Sequence, residues 1–401
     1  MAQNGFEQTG LTNFADVAAA QQLKVELITE GLFIDPETQR ALVESDDTPL
    51  TMADYASTSG VTLKLPGDVW VNAPINEFNP NFVEAPLSHL IIEDGKTYVV
   101  NGGDSQEVEF IPVPSYNDKK LEDGSPVKWI AITHSDRVRL SPVKGCTVQC
   151  DFCDIPFDRR EGEPRYGGRK LIGNILEAAG VALSDPVLPA QHVLISGGTP
   201  SKRDYGYENE VYERVVTENP GVDVDIMMVP MPGLLDVKHL GKLGVHGLSI
   251  NLELWNKEIA VRTMRSKVKS SRELYFDFIE EATEEFGPGR VRSLLMVGIE
   301  PIEDTLRGVE ALAQRGCDPV LSPFRPDPMT PLRDMAPPTS AHLLEVWQRS
   351  QEIVARYDGV KLGPRCIPCM HNTLTFPDGT EDYYHSKQTP RDLITTQHDQ
   401  I

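Results

Sequence analysis

From Val127 to about residue 335 the apolar positions change period again and again. Short runs of nearly continuous apolar character read as buried strands: KWIAITHS, QHVLISGG, VDVDIMMVP, HGLSINLEL, VRSLLMVGIE and CDPVLSPFRP. Between them lie segments whose apolar residues recur every three to four positions, as on one face of a helix: KLIGNILEAAGVAL, YENEVYERVVTEN, LLDVKHLGKLG, SRELYFDFIEEATEEFG and DTLRGVEALAQRG. KWIAITHS reads as the first strand, ending just before a cysteine-bearing loop. Six strands interleaved with helices predict a parallel sheet, either curled into a partial barrel or open and doubly wound. Both arrangements place a site at the C-terminal ends of the strands.

The flanking segments follow other patterns. Residues 1–10 are polar and are expected to be disordered. Phe14, Val17, Ala18, Leu23, Leu27 and Ile28 recur loosely at helical spacing, and Asp35-Pro36-Glu37 looks like a helix start. Residues 61–115 hold short β-rich runs (VTLKL, VWVNA, HLIIED, KTYVV, EVEFIPV) punctuated by Pro, Gly and Asn. Beyond 335 comes one helix, SAHLLEVWQRSQEIVARY, then RCIPCMHNTLTFPDG, then a polar tail. The expected division is an accessory region over 1–126, helical then β-rich; a βα domain over 127–335; and a C-terminal extension over 336–401. The accessory region either packs against the sheet or serves as a lid or substrate-binding module, and a Pro-containing loop carrying Cys366 and Cys369 is expected to fold over the mouth of the sheet.

Composition narrows the function classes. The 401-residue chain is 40% hydrophobic and carries a formal net charge of −22. So acidic a surface repels nucleic-acid phosphate and anionic lipid, and the basic clusters (Arg159-Arg160, Arg262 to Lys269) are short. A dedicated DNA or RNA binder is disfavoured, although a modified tRNA stays open as a substrate. The apolar runs SLLMVGI and DIMMVPMPGLL are too short to span a bilayer. MAQNGFEQTG has neither the basic nor the apolar region of a signal peptide. Six cysteines are too few for a disulfide scaffold, and their clustering speaks for metal in a reducing cytoplasm.

Three of those cysteines, Cys146, Cys150 and Cys153, stand in KGCTVQCDFCDIPF with C-x3-C-x2-C spacing. Three thiolates on one short loop suit three irons of a [4Fe–4S] cube and leave the fourth iron open to a small chelating molecule. A structural zinc site drawing on Cys366 and Cys369 is the alternative, but it would leave one cysteine spare. At the end of the second strand, Ser196-Gly197-Gly198-Thr199-Pro200 lets backbone approach a ligand closely, though glycine pairs are also common in plain turns. On the expected fourth strand, Asn251 and Glu253 alternate with apolar neighbours and share one face, where they need partners.

The cysteine spacing, Phe152 before the third cysteine, and HVLISGGTP downstream together resemble the radical S-adenosylmethionine (SAM) superfamily over roughly residues 128–335. The resemblance implies a partial (β/α)6 TIM-type barrel. It implies a [4Fe–4S] cluster on Cys146, Cys150 and Cys153 whose open iron chelates SAM, and reductive cleavage of SAM to a 5′-deoxyadenosyl radical that abstracts hydrogen from a substrate. It gives Ser196, Gly197, Gly198 and Thr199 contacts to the SAM amino group. Asn251 and Glu253, similar to the triplet of the biotin-synthase-like branch, would hold the ribose hydroxyls, or else pair with Arg or Lys inside the barrel. Arg265, with Arg262 as competitor, would meet the SAM carboxylate, and Val297 would flank adenine. Arg325, closing the sixth strand, is a candidate for binding an anionic substrate. A flavodoxin or ferredoxin would supply electrons, and no membrane partner is implied.

Cys366 and Cys369, followed by His371, admit four readings: an auxiliary cluster together with Cys317, a second metal site such as zinc, a catalytic or redox pair, or inert thiols. The expected function is hydrogen abstraction from a small organic substrate in a biosynthetic pathway. The rivals are a tRNA- or nucleotide-modifying enzyme and a metal-stabilised or electron-transfer protein without catalysis.

Overall fold

The computed structural model describes residues 14–42, 60–79, 83, 86–157, 162–269, 271–379 and 381. The polar segment 1–10 and most of the C-terminal tail lie outside the described residues, as does part of the helical stretch expected before residue 60.

The N-terminal region pairs two helices with one sheet. α1 (Phe14–Glu30) and α2 (Pro36–Leu42) flank β1 (Phe33–Ile34). β2 (Gly60–Leu65), β3 (Val69–Pro74), β4 (Ser88–Glu93), β5 (Lys96–Asn101) and β6 (Asp104–Phe110) complete a sheet of order β1-β4-β5-β6-β2-β3. The hairpin of β4 and β5 turns on Asp94-Gly95, both at positive φ, the geometry that matches strand twist.

The second sheet comprises β7 (Ala131–His134), β8 (Arg137–Leu140), β11 (His192–Ile195), β12 (Val224–Met227), β13 (Gly247–Ser249), β14 (Val291–Val297) and β15 (Asp318–Pro323). Between β8 and β11, β9 (Val143–Gly145) and β10 (Tyr166–Arg169) form a separate ribbon that closes the cysteine loop. The covering helices are α3 (Ile172–Leu183), α4 (Tyr205–Glu218), α5 (Val237–Leu243), α6 (Lys257–Thr263), α7 (Arg272–Phe286), α8 (Ile302–Ala313) and α9 (Ser340–Val354). From β8 to β15 the strands are parallel and lie in sequence order. Right-handed crossovers that never reverse direction put every helix on the same face. A doubly wound sheet needs a reversal, so the order decides for the singly wound, partial (β/α)6 barrel. Along β14, Val291, Ser293, Leu295 and Val297 are buried, and the alternate residues Arg292, Leu294 and Met296 are only half-buried.

Two expectations need correction. KWIAITHS is not the first barrel strand: its β7 portion is an antiparallel edge strand, joined through Ser135-Asp136 to β8. RVRL (β8) is the parallel first strand. Val138 and Leu140 are fully buried in the core, and the intervening arginines hide the strand from a search for apolar runs. The fourth strand ends at Ser249 instead of running through INLEL. Glu253 sits at φ 69°, so pairing resumes only as an isolated bridge to Leu295.

Accessory and C-terminal segments meet on the barrel. Trp70 packs with Ile111, Leu188 and Ile367. Lys24 on α1, fully buried, donates to the carbonyls of Met370 and Thr375 at 2.8 and 2.7 Å. The C-terminal segment runs beside β15, with Gly363 N–H bonded to Pro319 O and Leu374 N–H to Leu321 O.

Candidate active site

The cysteine loop leaves β9 at the C-terminal end of the first barrel strand and lands on the turn after β11. Cys146 N–H donates to Arg165 O at 3.0 Å, anchoring the loop on its own ribbon. Thr147 N–H and Oγ1 both donate to Thr199 O, at 3.0 and 2.9 Å. In return Thr199 N–H donates to Cys146 Sγ at 3.1 Å. The approach is so close that a Cβ on Gly198 would lie 1.8 Å from Gly145 O. Glycine is therefore required by contact at this point, beyond the needs of a turn. Farther along, Asp151 N–H bonds Thr263 O beyond the fourth strand, and Leu332 N–H bonds Asp151 O beyond the sixth. One loop thus touches the ends of strands across the whole barrel.

Cys150 and Phe152 pack against a small apolar cluster of Leu254, Ala260, Met264, Ile299 and Phe324. Burial pushes the Cys150 thiol up to about 12 and carries Cys153 well above the usual thiol range. A bound cation reverses that preference, because a coordinating thiol is deprotonated outright. The donor set fits a thiolate-ligated cluster: three cysteines on one loop, one of them already accepting a backbone N–H.

The fourth-strand residues take local partners. Asn251 Oδ1 accepts from Ser249 Oγ at 2.9 Å and from Leu294 N at 3.3 Å. Glu253 Oε1 accepts from Lys267 Nζ at 3.1 Å. Lys267 is buried; burial works against its charge, but Glu253 and Tyr275 more than offset that and hold the ammonium up. The sequence reading missed Lys267: RTMRSKVK offers several bases and no signal to choose among them. The structure leaves Arg262 and Arg265 exposed, with Arg265 Nε bonded to Arg262 O. Lys267, and not Arg265, is the base turned inward among the described residues of this segment. Val297 is buried at the end of β14, its carbonyl accepting from Phe324 N. Glu300, in the same VGIEP segment, receives the N–H groups of Trp255 and Asn256 at 3.1 and 2.7 Å and so pins the fourth-strand loop.

Beside the cysteine loop a cleft of ≈ 180 Å³ opens, lined by Phe152, Asp154, Met296, Ser322, Arg325 and Asn79 among others. Arg325 donates to Asn72 O on β3, and burial lowers its pKa to about 9. The accessory region therefore forms part of the cleft wall.

Cys366 and Cys369 lie elsewhere. They sit beside Asp136, in the β7–β8 turn, and His192, the first residue of β11. That is the N-terminal end of the strands, whereas Ser196 to Pro200 follow the C-terminal end of β11. Four residues of strand, about 13 Å, separate the two levels. The expected fold-over onto the mouth is corrected: the loop turns to the base, drawn there by buried groups at the starts of β8 and β11. Cys317 is buried before β15 and joins neither group of cysteines.

Comparison with known proteins decides the class. Residues 140–307 match the family described as "Radical SAM superfamily". The chain carries a radical SAM domain. The matched span covers the cysteine loop, the Ser196–Pro200 turn and the Asn251–Lys267 segment. Among solved structures, the chain is similar to a radical SAM methyltransferase from Sphaerobacter thermophilus: 16% identity, 69% of this chain and 76% of that one, TM-score 0.43. It is also similar to the FeFe-hydrogenase maturase HydG from Carboxydothermus hydrogenoformans: 16% identity, 66% of each chain, TM-score 0.44. Both TM-scores fall below 0.5, and neither neighbour's activity is carried over. No curated protein matches the chain. Among the described residues no helix is long and apolar enough to cross a membrane.

Proposed function

We propose that this radical SAM enzyme abstracts hydrogen from a small organic substrate with an anionic group, bound in the cleft beside the cysteine loop. The observation that carries the reading is the backbone contact between the cysteine loop and the Ser196–Thr199 turn at the C-terminal ends of the strands. Cys146, Cys150 and Cys153 would hold a [4Fe–4S] cluster, and that group would supply the electron for reductive cleavage of SAM. Ser196, Gly197, Gly198 and Thr199 offer close backbone for the SAM amino group. Asn251 and Glu253 are the ribose candidates; Glu253 keeps its second carboxylate oxygen for a hydroxyl while Lys267 holds the first. Val297 and Phe152 supply apolar surface. Arg325 meets the substrate's anionic group with donors that its one bond to Asn72 leaves over. A flavodoxin- or ferredoxin-type donor in a reducing cytoplasm fits the free thiols, and the reaction is proposed to serve a biosynthetic pathway.

The test is anaerobic reconstitution followed by iron counting and a 5′-deoxyadenosine assay. The native protein should hold at least four irons and cleave SAM. Cys146→Ala, Cys150→Ala and Cys153→Ala should each abolish cleavage. Near-native cleavage by any one of them removes that cysteine from the ligand set.

A further inference from the structure

Asp136, His192, Cys366 and Cys369 bring one potential ligand atom each into a single buried pocket at the barrel base. Cys366 Sγ stands 3.5 Å from either carboxylate oxygen of Asp136 and 3.7 Å from His192 Nε2. Cys369 Sγ stands 3.8 Å from Asp136 Oδ1 and 3.5 Å from His192 Nε2, and Nε2 is 3.4 Å from Oδ1. A zinc ion with bonds of 2.0–2.3 Å and tetrahedral angles demands ligand–ligand edges of about 3.3–3.8 Å. Five of the six edges fall in that range, and all four atoms lie within 4.8 Å of one another, an arrangement that suits a zinc-sized tetrahedron. A [4Fe–4S] cube spreads its ligands over separate irons and would need them farther apart.

We infer that these four residues form a closed structural zinc site. Two thiolates, one imidazole and one carboxylate suit zinc, and four protein ligands leave no open position for chemistry. Cys369 N–H donates to Cys366 Sγ at 3.3 Å and fixes the position of that sulfur. The site's location gives it a role. The segment leaves the last barrel strand at Gly363, bonded to Pro319, and returns to it at Leu374, bonded to Leu321. Between those points it reaches Asp136 and His192, beside the first two parallel strands. The ion therefore ties the segment held on β15 to the β7–β8 turn and the start of β11, across the opening of the barrel and at the end away from the cysteine loop. Arg365, paired to Asp318 at 2.8 Å, holds the same segment on the β15 side.

The test is metal analysis of the full chain purified from zinc-supplemented medium and dialysed against a weak chelator. We expect about one zinc per chain beside the cluster iron. The Cys146→Ala/Cys150→Ala/Cys153→Ala protein should lose the iron and keep the zinc, which separates this site from the proposed cluster. Cys366→Ser/Cys369→Ser should lose the zinc and keep the iron. Should that variant fail to fold, replacement of zinc by cobalt(II) in the native chain is the second measurement: it should give a thiolate-to-cobalt charge-transfer band and tetrahedral d–d bands. A native protein without zinc overturns the assignment. So do zinc retained by the double variant, cobalt without a thiolate band, or about eight irons per chain.

Discussion

Gly198→Ala probes the contact on which the site is built. The new Cβ would lie 1.8 Å from Gly145 O and 2.8 Å from Cys146 Cα. Ordinary contact begins at 3.4 Å, so the two backbones must separate by the difference, 1.6 Å at the carbonyl. Both are main chain and neither can rotate away. That movement breaks the bonds from Thr147 to Thr199 O and from Thr199 N to Cys146 Sγ. Overpacking of this kind costs about 1–3 kcal/mol, and each lost hydrogen bond about 1 kcal/mol. The expected total is about 4–6 kcal/mol, together with poor cluster loading because Cys146 moves with the loop. Urea unfolding and iron per chain after reconstitution measure the two effects. Gly180→Ala is the control: Gly180 is exposed on α3, its Cβ would meet nothing within 4 Å, and the change should stabilise by about 0.5–1 kcal/mol. Native stability and native iron content in Gly198→Ala would refute the contact as described.

Lys267→Met should destabilise by about 3 kcal/mol by stranding Glu253 without its partner, and Lys267→Met/Glu253→Gln should recover most of the loss; equal urea midpoints for native and single variant would show that the pair contributes nothing. Glu208 on α4 is fully buried, and burial pushes its pKa up to about 8, so the folded state keeps a proton that the unfolded state releases near 4.3. Stability from this group is therefore present at low pH and lost as pH rises from about 4.3 to about 8. Glu208→Gln should flatten the fall in urea midpoint between pH 5 and pH 8, and an unchanged slope would contradict the shift.

Much of the barrel was legible because its helices and most of its strands carry clean periods. β8 was not, since Arg137 and Arg139 occupy alternate positions of a strand expected to be apolar. INLEL misled for the opposite reason: its alternation is good, but Glu253 adopts a positive φ that sequence pattern does not encode. The cysteine loop and the Ser196–Pro200 turn were readable because their chemistry is contiguous in sequence. Lys267 was not, because only tertiary burial distinguishes it from Arg262 and Arg265. The base cluster was beyond reach: 230 residues separate Cys366 from Asp136 and 174 separate it from His192, Asp136 sits in no motif, and His192 only opens HVLISGGTP, where nothing marks it as a ligand.

The central claim is that the three cysteines hold a cluster with an open iron beside the Ser196–Thr199 turn. Electron paramagnetic resonance of the anaerobically reduced, reconstituted protein, recorded with and without SAM, tests it most directly. The account predicts the signal of a reduced [4Fe–4S] centre that changes on addition of SAM and is absent from the Cys146→Ala/Cys150→Ala/Cys153→Ala protein. A spectrum indifferent to SAM, or the same signal in that variant, would contradict it.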